Sequence, residues 1–266
     1  MTTPLLYEID ADGIAWITFN RPAARNATSI EMIDALHAKL LQIDGDSTVR
    51  CVVLRGAGEH FVAGADLGAL EAMTLLPPQE RRAALQARLA RSAPVFSLIE
   101  RMEQPFVASV RGAVAGGGVG LMLACDLVVA ATDSKFVLAQ IKAGLSPDGG
   151  SSWHLPRAIG MKRAKQFALL GQNIDAQTAL SWGLVNWVVP PEEVHEHTLR
   201  VARRLASGPA RGLAQAKHLL NSAMRSDLAE QVALETHSMG VCAETGDFVE
   251  GVQAARQKRA PRFQKP

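Results

Sequence analysis

Short apolar runs alternate with amphipathic stretches along the first two thirds of this chain. Gly13–Asn20, Arg50–Gly56 and Phe106–Val110 are rich in Val, Ile, Leu, Phe or Trp and bounded by turn residues, which predicts strands. Between the first two, Ile30, Ile33, Leu36, Leu40 and Ile43 recur at helical spacing over Ser29–Ile43. A Thr28/Ser29 cap and Glu31 in the first turn open that helix. The order is βαβ and implies an α/β fold with a mostly buried sheet. After about Pro190 the pattern becomes helical throughout, over Glu192–Ser207, Pro209–Met224, Leu228–Ala243 and Asp247–Arg259. Residues 1–195 therefore read as a core and residues 196–266 as a helical C-terminal region. One further helix, Gln79–Arg91, carries Arg81, Arg82, Arg88 and Arg91. It reads as a solvated face following a loop at Pro77-Pro78.

Composition narrows the class. With 266 residues, 48% of them hydrophobic, the chain can bury a sizeable core. A net charge of +2 argues against a nucleic-acid partner. No uncharged stretch reaches the roughly 18 residues of a membrane span, and Glu8 ends the first apolar run before it resembles a leader. Cys51, Cys125 and Cys242 are odd in number and widely spaced, as in a reduced cytoplasmic protein. No His, Cys or carboxylate cluster has metal-ligand spacing, so neither metal nor cofactor is expected.

Two segments of almost no side-chain bulk carry the candidate chemistry: FVAGADL at Phe61–Leu67 and GAVAGGGVG at Gly112–Gly120. Each follows a β-rich run, and the second continues into an apolar helical stretch, Gly118–Ala124. Such segments let a substrate carbonyl approach main-chain N–H groups at a positive helix end. The glycines of the second do not fit a dinucleotide fingerprint, and no Lys-Ser/Thr follows as in a phosphate loop.

These segments, with NRPAARNA at Asn20–Ala27, GLSPDGG at Gly144–Gly150, LPR at Leu155–Arg157 and EGVQAARQKRAPRF at Glu250–Phe263, make the chain resemble the enoyl-CoA hydratase/isomerase family, the crotonase-like enzymes. The resemblance spans nearly the whole chain. It implies a spiral of ββα units, a C-terminal helical trimerisation region, a homotrimer or dimer of trimers, and an acyl-CoA thioester as substrate, with coenzyme A entering only as part of that substrate.

By the same resemblance, the N–H groups of Ala65 and Gly117 form the oxyanion hole. Arg25 lies near the nucleotide, and Ala27, Ala63, Asp66, Leu67 and Gly116 line the substrate. Lys258 and Arg259 are further candidates for CoA, serving a neighbouring subunit. Asp66 also reads as a helix cap, and Glu71, one turn further on, has no clear task. Hydratases of the family use two glutamates, and here those positions hold Gly120 and Gln140. Neither residue titrates near neutral pH.

Asp148 stands where some family members carry a catalytic aspartate, and Ser-Pro-Asp-Gly-Gly resembles the phenylacetate-type isomerases most. Asp148 also fits a cap for a helix over Ser151–Ala158, or the start of an Asx turn. A dehalogenase-type histidine would fall near Ser97, where this chain has none; His60 and His154 lie near other motifs. Three readings follow: an isomerase that shifts a double bond or opens an epoxide with Asp148 as base; a hydrolase, dehalogenase or atypical hydratase using Asp148; and a non-catalytic acyl-CoA binder.

Overall fold

The computed structural model describes residues 3–263. A six-stranded sheet in the order β1-β2-β3-β4-β6-β9 forms its centre: β1 (Leu5–Ile9), β2 (Ile14–Phe19), β3 (Cys51–Gly56), β4 (Phe106–Val110), β6 (Leu127–Ala131) and β9 (Trp187–Val189). β1 pairs antiparallel with β2, and every later pairing in this sheet is parallel. A smaller sheet joins β5 (Ala113–Ala115), β7 (Lys135–Val137) and β8 (Ile174–Asp175).

Alternation along the strands divides the core in two. Ala15, Ile17, Phe19, Val52, Leu54, Phe106, Ala108 and Val110 face a large cluster that also takes Leu36 and Leu40 of α1 (Ile30–Ile43). Their neighbours Ile14, Trp16, Cys51, Val53, Val107 and Val129 face Val194, Ala202 and Ala206 of α7 (Val194–Ala206). All six residues of β2 are buried, as expected of a strand covered on both faces. Because α7 packs on the sheet, the division between residues 195 and 196 falls inside a core helix. The chain leaves the sheet only with α8 (Ala210–Ser222), α9 (Leu228–Ala243) and α10 (Gly246–Gln257).

The spiral is visible in how the short segments stack. Each turn places one strand in the large sheet, then a short segment beside the previous turn's, then a helix. β4 is followed by β5 and α4 (Gly117–Ala124); β6 is followed by β7 and, after a 3-10 turn at Ala139–Ala143, by α5 (Ser151–Leu170). Single bridges, Thr28 to Ala65 and Val62 to Val114, continue the stack into the earlier turns. α5 breaks at Gly160 (φ 75°, ψ 156°), and α6 (Ala176–Trp182) leads to β9. Stacking brings Ala65 and Gly117, 52 positions apart in sequence, to one cavity.

Between β3 and β4, α2 (Leu67–Thr74) precedes a 24-residue α3 (Pro78–Arg101). α3 corrects the expectation for this stretch. Pro78 opens the helix, where its missing N–H costs nothing, and the helix runs past Pro94 to Arg101. The pair Pro77-Pro78 is thus a helix start.

Candidate active site

Main-chain geometry builds one wall of the site. After β3, the loop through Phe61–Leu67 is pinned to its neighbours: Phe61 N donates to Arg111 O (2.9 Å), Ala115 N to Val62 O (3.0 Å) and Thr28 N to Gly64 O (2.8 Å). Gly64 (φ 91°) and Gly116 (φ 52°, ψ −121°) occupy conformations that favour glycine. A Cβ on Gly116 would lie 3.6 Å from the Cα of Gly64, so the two loops abut. Gly117 then starts α4, leaving its N–H without an intrahelical acceptor. Among the described residues, neither the Ala65 N–H nor the Gly117 N–H donates a hydrogen bond within the protein. Both residues line one cavity, and a Cβ on Gly117 would meet nothing within 4 Å. Two N–H groups without a protein acceptor, one at a helix start, thus belong to residues that line the same cavity.

The NRPAARNA loop braces this wall. Buried Asn26, at φ 57°, accepts from Arg21 N (2.9 Å) and donates to Ala57 O (2.9 Å) and His60 O (2.7 Å). Arg21 reaches Ala27 O (2.6 Å) and Asp66 Oδ2 (2.7 Å). Asp66 Oδ1 in turn accepts from Gly68 N (3.1 Å) and Ala69 N (3.4 Å), capping α2. The Arg21 hydrogen bond holds the Asp66 carboxyl below its usual range. Ala27, Asp66 and Arg25 therefore lie outside the cavity lining: the first two shape its support, and Arg25 is exposed at φ 51°. Sequence reasoning missed Arg21 and Asn26, although both stand inside the motif it quoted.

The cavity measures about 230 Å³. Ala63, Gly64, Ala65, Leu67, Gly116 and Gly117 form one side, with Thr28, Ile33 and Leu121 around them. α3 supplies Leu85, Arg88, Leu89, Ser92 and Phe96 at helical spacing. The expected solvated face holds for Arg81, Arg82 and Arg91, which are exposed, while Arg88 is half-buried. Arg88 donates to Thr28 O (2.8 Å) and Arg91 pairs bidentately with Asp34 (2.6 Å each), both at the cavity wall. Arg81 instead satisfies Leu76 O (3.0 Å) near the end of α2.

A neighbouring wall, in contact with the Gly116 loop through Gln140, carries the titratable chemistry. Asp148 is the one carboxylate among the lining residues. Its Oδ1 accepts a 2.7 Å hydrogen bond from Gln140 Nε2, and Gln140 Oε1 is buried without a partner. The helix-cap alternative for the Asp148 side chain does not hold: α5 is capped at Gly150 with no side-chain bond, and Asp148 contributes only its main-chain oxygen, to Ser151 N (3.1 Å) and Oγ (2.7 Å). Gly120 is closed off. A Cβ there would lie 2.3 Å from Gly149 O, and a Cβ on Gly149 would lie 2.9 Å from the Phe96 ring. The position where a hydratase carries its first glutamate is therefore filled by main chain, and Gly120 does not reach the cavity.

Other candidates lie elsewhere. His60 Nδ1 accepts from Ala113 N (3.1 Å), a bracing role. Burial pushes the His154 imidazole down, and it lies outside the lining. Glu71 and Ser97 are exposed. In the tail, Arg259 is held by both oxygens of Glu250 (2.6 and 2.8 Å), which lowers the Glu250 carboxyl to about 2, while Lys258 ends α10 at φ 52°.

A family model described as enoyl-CoA hydratase/isomerase matches residues 10–266. The chain is 36% identical to the 1,2-epoxyphenylacetyl-CoA isomerase of Escherichia coli K12, over 94% of this chain and 95% of that protein. It is 32% identical to the short-chain-enoyl-CoA hydratase of Clostridium acetobutylicum, over 92% of each. A crystal structure of an enoyl-CoA hydratase from Polaromonas sp. JS666 superposes with a TM-score of 0.91 at 32% identity, covering 98% of this chain and 99% of that one.

Proposed function

Because the chain belongs to the enoyl-CoA hydratase/isomerase family, we propose that it is an acyl-CoA isomerase whose base is Asp148. The thioester oxygen takes hydrogen bonds from the N–H groups of Ala65 and Gly117, each such donor stabilising developing negative charge by about 3 kcal/mol. Polarised in this way, the acyl group releases a proton to Asp148 and becomes enolate-like. Return of the proton to a different carbon moves the double bond. With an epoxide beside the thioester, the enolate's electron pair breaks the adjacent carbon–oxygen bond and the alkoxide released takes the proton back from Asp148.

One observation carries this reading: the cavity wall holds a single carboxylate, Asp148, already hydrogen-bonded by the non-titrating Gln140. Adding water by a carboxylate pair needs a second acid–base group, and Gly149 O fills the space beside Gly120 where one would start. The cavity's leucines and Phe96 suit an apolar acyl group. No cofactor is needed, since coenzyme A arrives with the substrate.

Asp148→Asn tests the reading against a panel of enoyl-, dienoyl- and epoxy-CoA thioesters. Isomer formation should fall by about 10²–10⁴-fold while thioester binding persists; turnover at the parent rate would sink the mechanism. A second reading, an atypical hydratase with Asp148 as its only base, is favoured by the similarity to the Clostridium hydratase. Appearance of a 3-hydroxyacyl-CoA carrying solvent oxygen would select it.

We further propose assembly as a homotrimer or dimer of trimers, in the cytoplasm. The support is apolar exposure on the C-terminal helices, including Leu220, Leu228, Met239 and Phe248 at 74, 81, 71 and 51%. The three cysteines are unpaired, and no helix among the described residues is long and apolar enough to cross a membrane. Native mass spectrometry at multiples of the 28.4 kDa chain decides the assembly.

A further inference from the structure

We propose that Gln140 keeps the proton that Asp148 removes: its amide N–H steadies the carboxylate before transfer, and its amide oxygen receives the O–H that Asp148 carries afterwards. This rests on the reading of Asp148 as the base.

Gln140 sits on the 3-10 turn after β7, against the loop that presents Gly117; a Cβ on Gly116 would lie 3.7 Å from Gln140 Nε2. Half of its amide is in use, as Nε2 donates to Asp148 Oδ1 at 2.7 Å. The other half is not, since Oε1 is buried with no hydrogen-bond partner. Among the described residues, the other buried side-chain atoms left this way, on Gln104, Arg111 and Gln231, lie outside the cavity. A buried acceptor without a donor is unfavourable, so one found beside a reacting group points to a donor that arrives later.

The chemistry of the pair names that donor. A carboxylate has acceptors only and can use no more than the N–H of an amide. A carboxylic acid gains one donor, and acid and primary amide are then complementary: N–H to the acid's carbonyl oxygen, acid O–H to the amide oxygen. The terminal amide torsion is soft, so a small rotation brings the second contact into line. In the forward step a carbon–hydrogen bond breaks, its electron pair enters the enolate held by Ala65 and Gly117, and an O–H bond forms on Asp148. In the return step that O–H breaks, a bond to hydrogen forms at another carbon, and the carboxylate is restored. No electrons leave the system. Gly149, the residue after Asp148, is packed between Gly120 and the Phe96 ring.

Isomerisation of a 3-enoyl-CoA thioester in deuterated water, read by mass spectrometry, tests the proposal. The parent enzyme should deliver mainly the substrate's own hydrogen. Gln140→Leu, which has no acceptor, should raise deuterium in the product several-fold. Gln140→Glu keeps the shape but sets two carboxylates side by side, so one proton is shared and the basic form of Asp148 appears only at higher pH. Its activity profile should move up by about one pH unit or more. Equal deuterium fractions in the parent and the Leu variant refute the proposal, as does an unmoved profile in the Glu variant. If the Leu variant fails to fold, the Glu profile decides. A parent enzyme giving neither isomer nor exchange on any thioester of the panel would instead overturn the isomerase reading itself, and this inference with it.

Discussion

The two walls of the cavity are made of different material. One offers main-chain N–H groups from Ala65 and Gly117, fixed by strand bridges, glycine conformations and the Arg21–Asp66 brace. The other offers side chains, Asp148 and Gln140, on a 3-10 turn and a Pro/Gly loop. A main-chain wall depends on the fold and is nearly indifferent to which substituent sits on the acyl chain. A side-chain wall is rewritten by single substitutions. Under the proposed function, one scaffold keeps thioester polarisation while exchanging the group that handles the proton, which is consistent with relatives named both isomerase and hydratase at 36 and 32% identity.

The comparison breaks most sharply at Asp148. Asp148→Asn should lower kcat by about 10²–10⁴-fold, the usual contribution of a positioned acid–base group, with little change in binding. Gly117→Pro acts on the other wall. It deletes one N–H at the first position of α4, where proline suits a helix, and should lower kcat by about 10²–10³-fold. Steady-state kinetics on one enoyl-CoA measures both. If Gly117→Pro raises KM and leaves kcat alone, the main-chain wall binds substrate and transition state equally and is no oxyanion hole.

A third change asks whether the side-chain wall can be turned back. Gly120→Glu with Gln140→Glu restores both hydratase glutamates on paper. Yet any Cβ at residue 120 would lie 2.3 Å from Gly149 O. The pair should be destabilised by about 1–3 kcal/mol, as overpacked sites are, and should make no 3-hydroxyacyl-CoA. A folded, active hydratase from this double variant would show that the wall is adaptable and that Gly149 yields easily.

How far the sequence revealed these walls follows from the range of the forces involved. β2, β3 and β4 were legible because long apolar runs mark fully buried strands, and α1 because its stripe is regular and capped by Ser29. β5, β7 and β8 were not, since strands of two or three residues are defined by partners in other turns. The extent of α3 was hidden by Pro94 and by a flat polar pattern around the helix. Within the site, Ala63, Ala65, Leu67, Gly116, Gly117, Gln140 and Asp148 do meet at one cavity. The brace from Arg21 to Asp66 spans 45 positions, and the main-chain plug at Gly120 comes from Gly149; neither leaves a local signal.

The smallest expected effect sharpens what holds the main-chain wall. Asp66 caps α2 and receives Arg21, whose hydrogen bond keeps the carboxyl below its ordinary range. As pH falls, the unfolded chain takes up this proton first. The stability that Asp66 supplies is thus complete above about pH 4, the usual aspartate value, and is lost as pH falls through the lower folded value. Asp66→Ala should cost about 1 kcal/mol at pH 7, as the loss of a helix cap does, and the gap to the parent should close in strong acid. Urea unfolding at pH 7 and pH 3 measures it. Hydrogen exchange at the amides of Ala65 to Ala69 should quicken in the variant, while the region around Gln140 and Asp148 stays as it was. A gap that ignores pH would mean that Asp66 acts without its charge and that the wall does not lean on Arg21; quickened exchange around Asp148 would mean that the two walls are one mechanical unit.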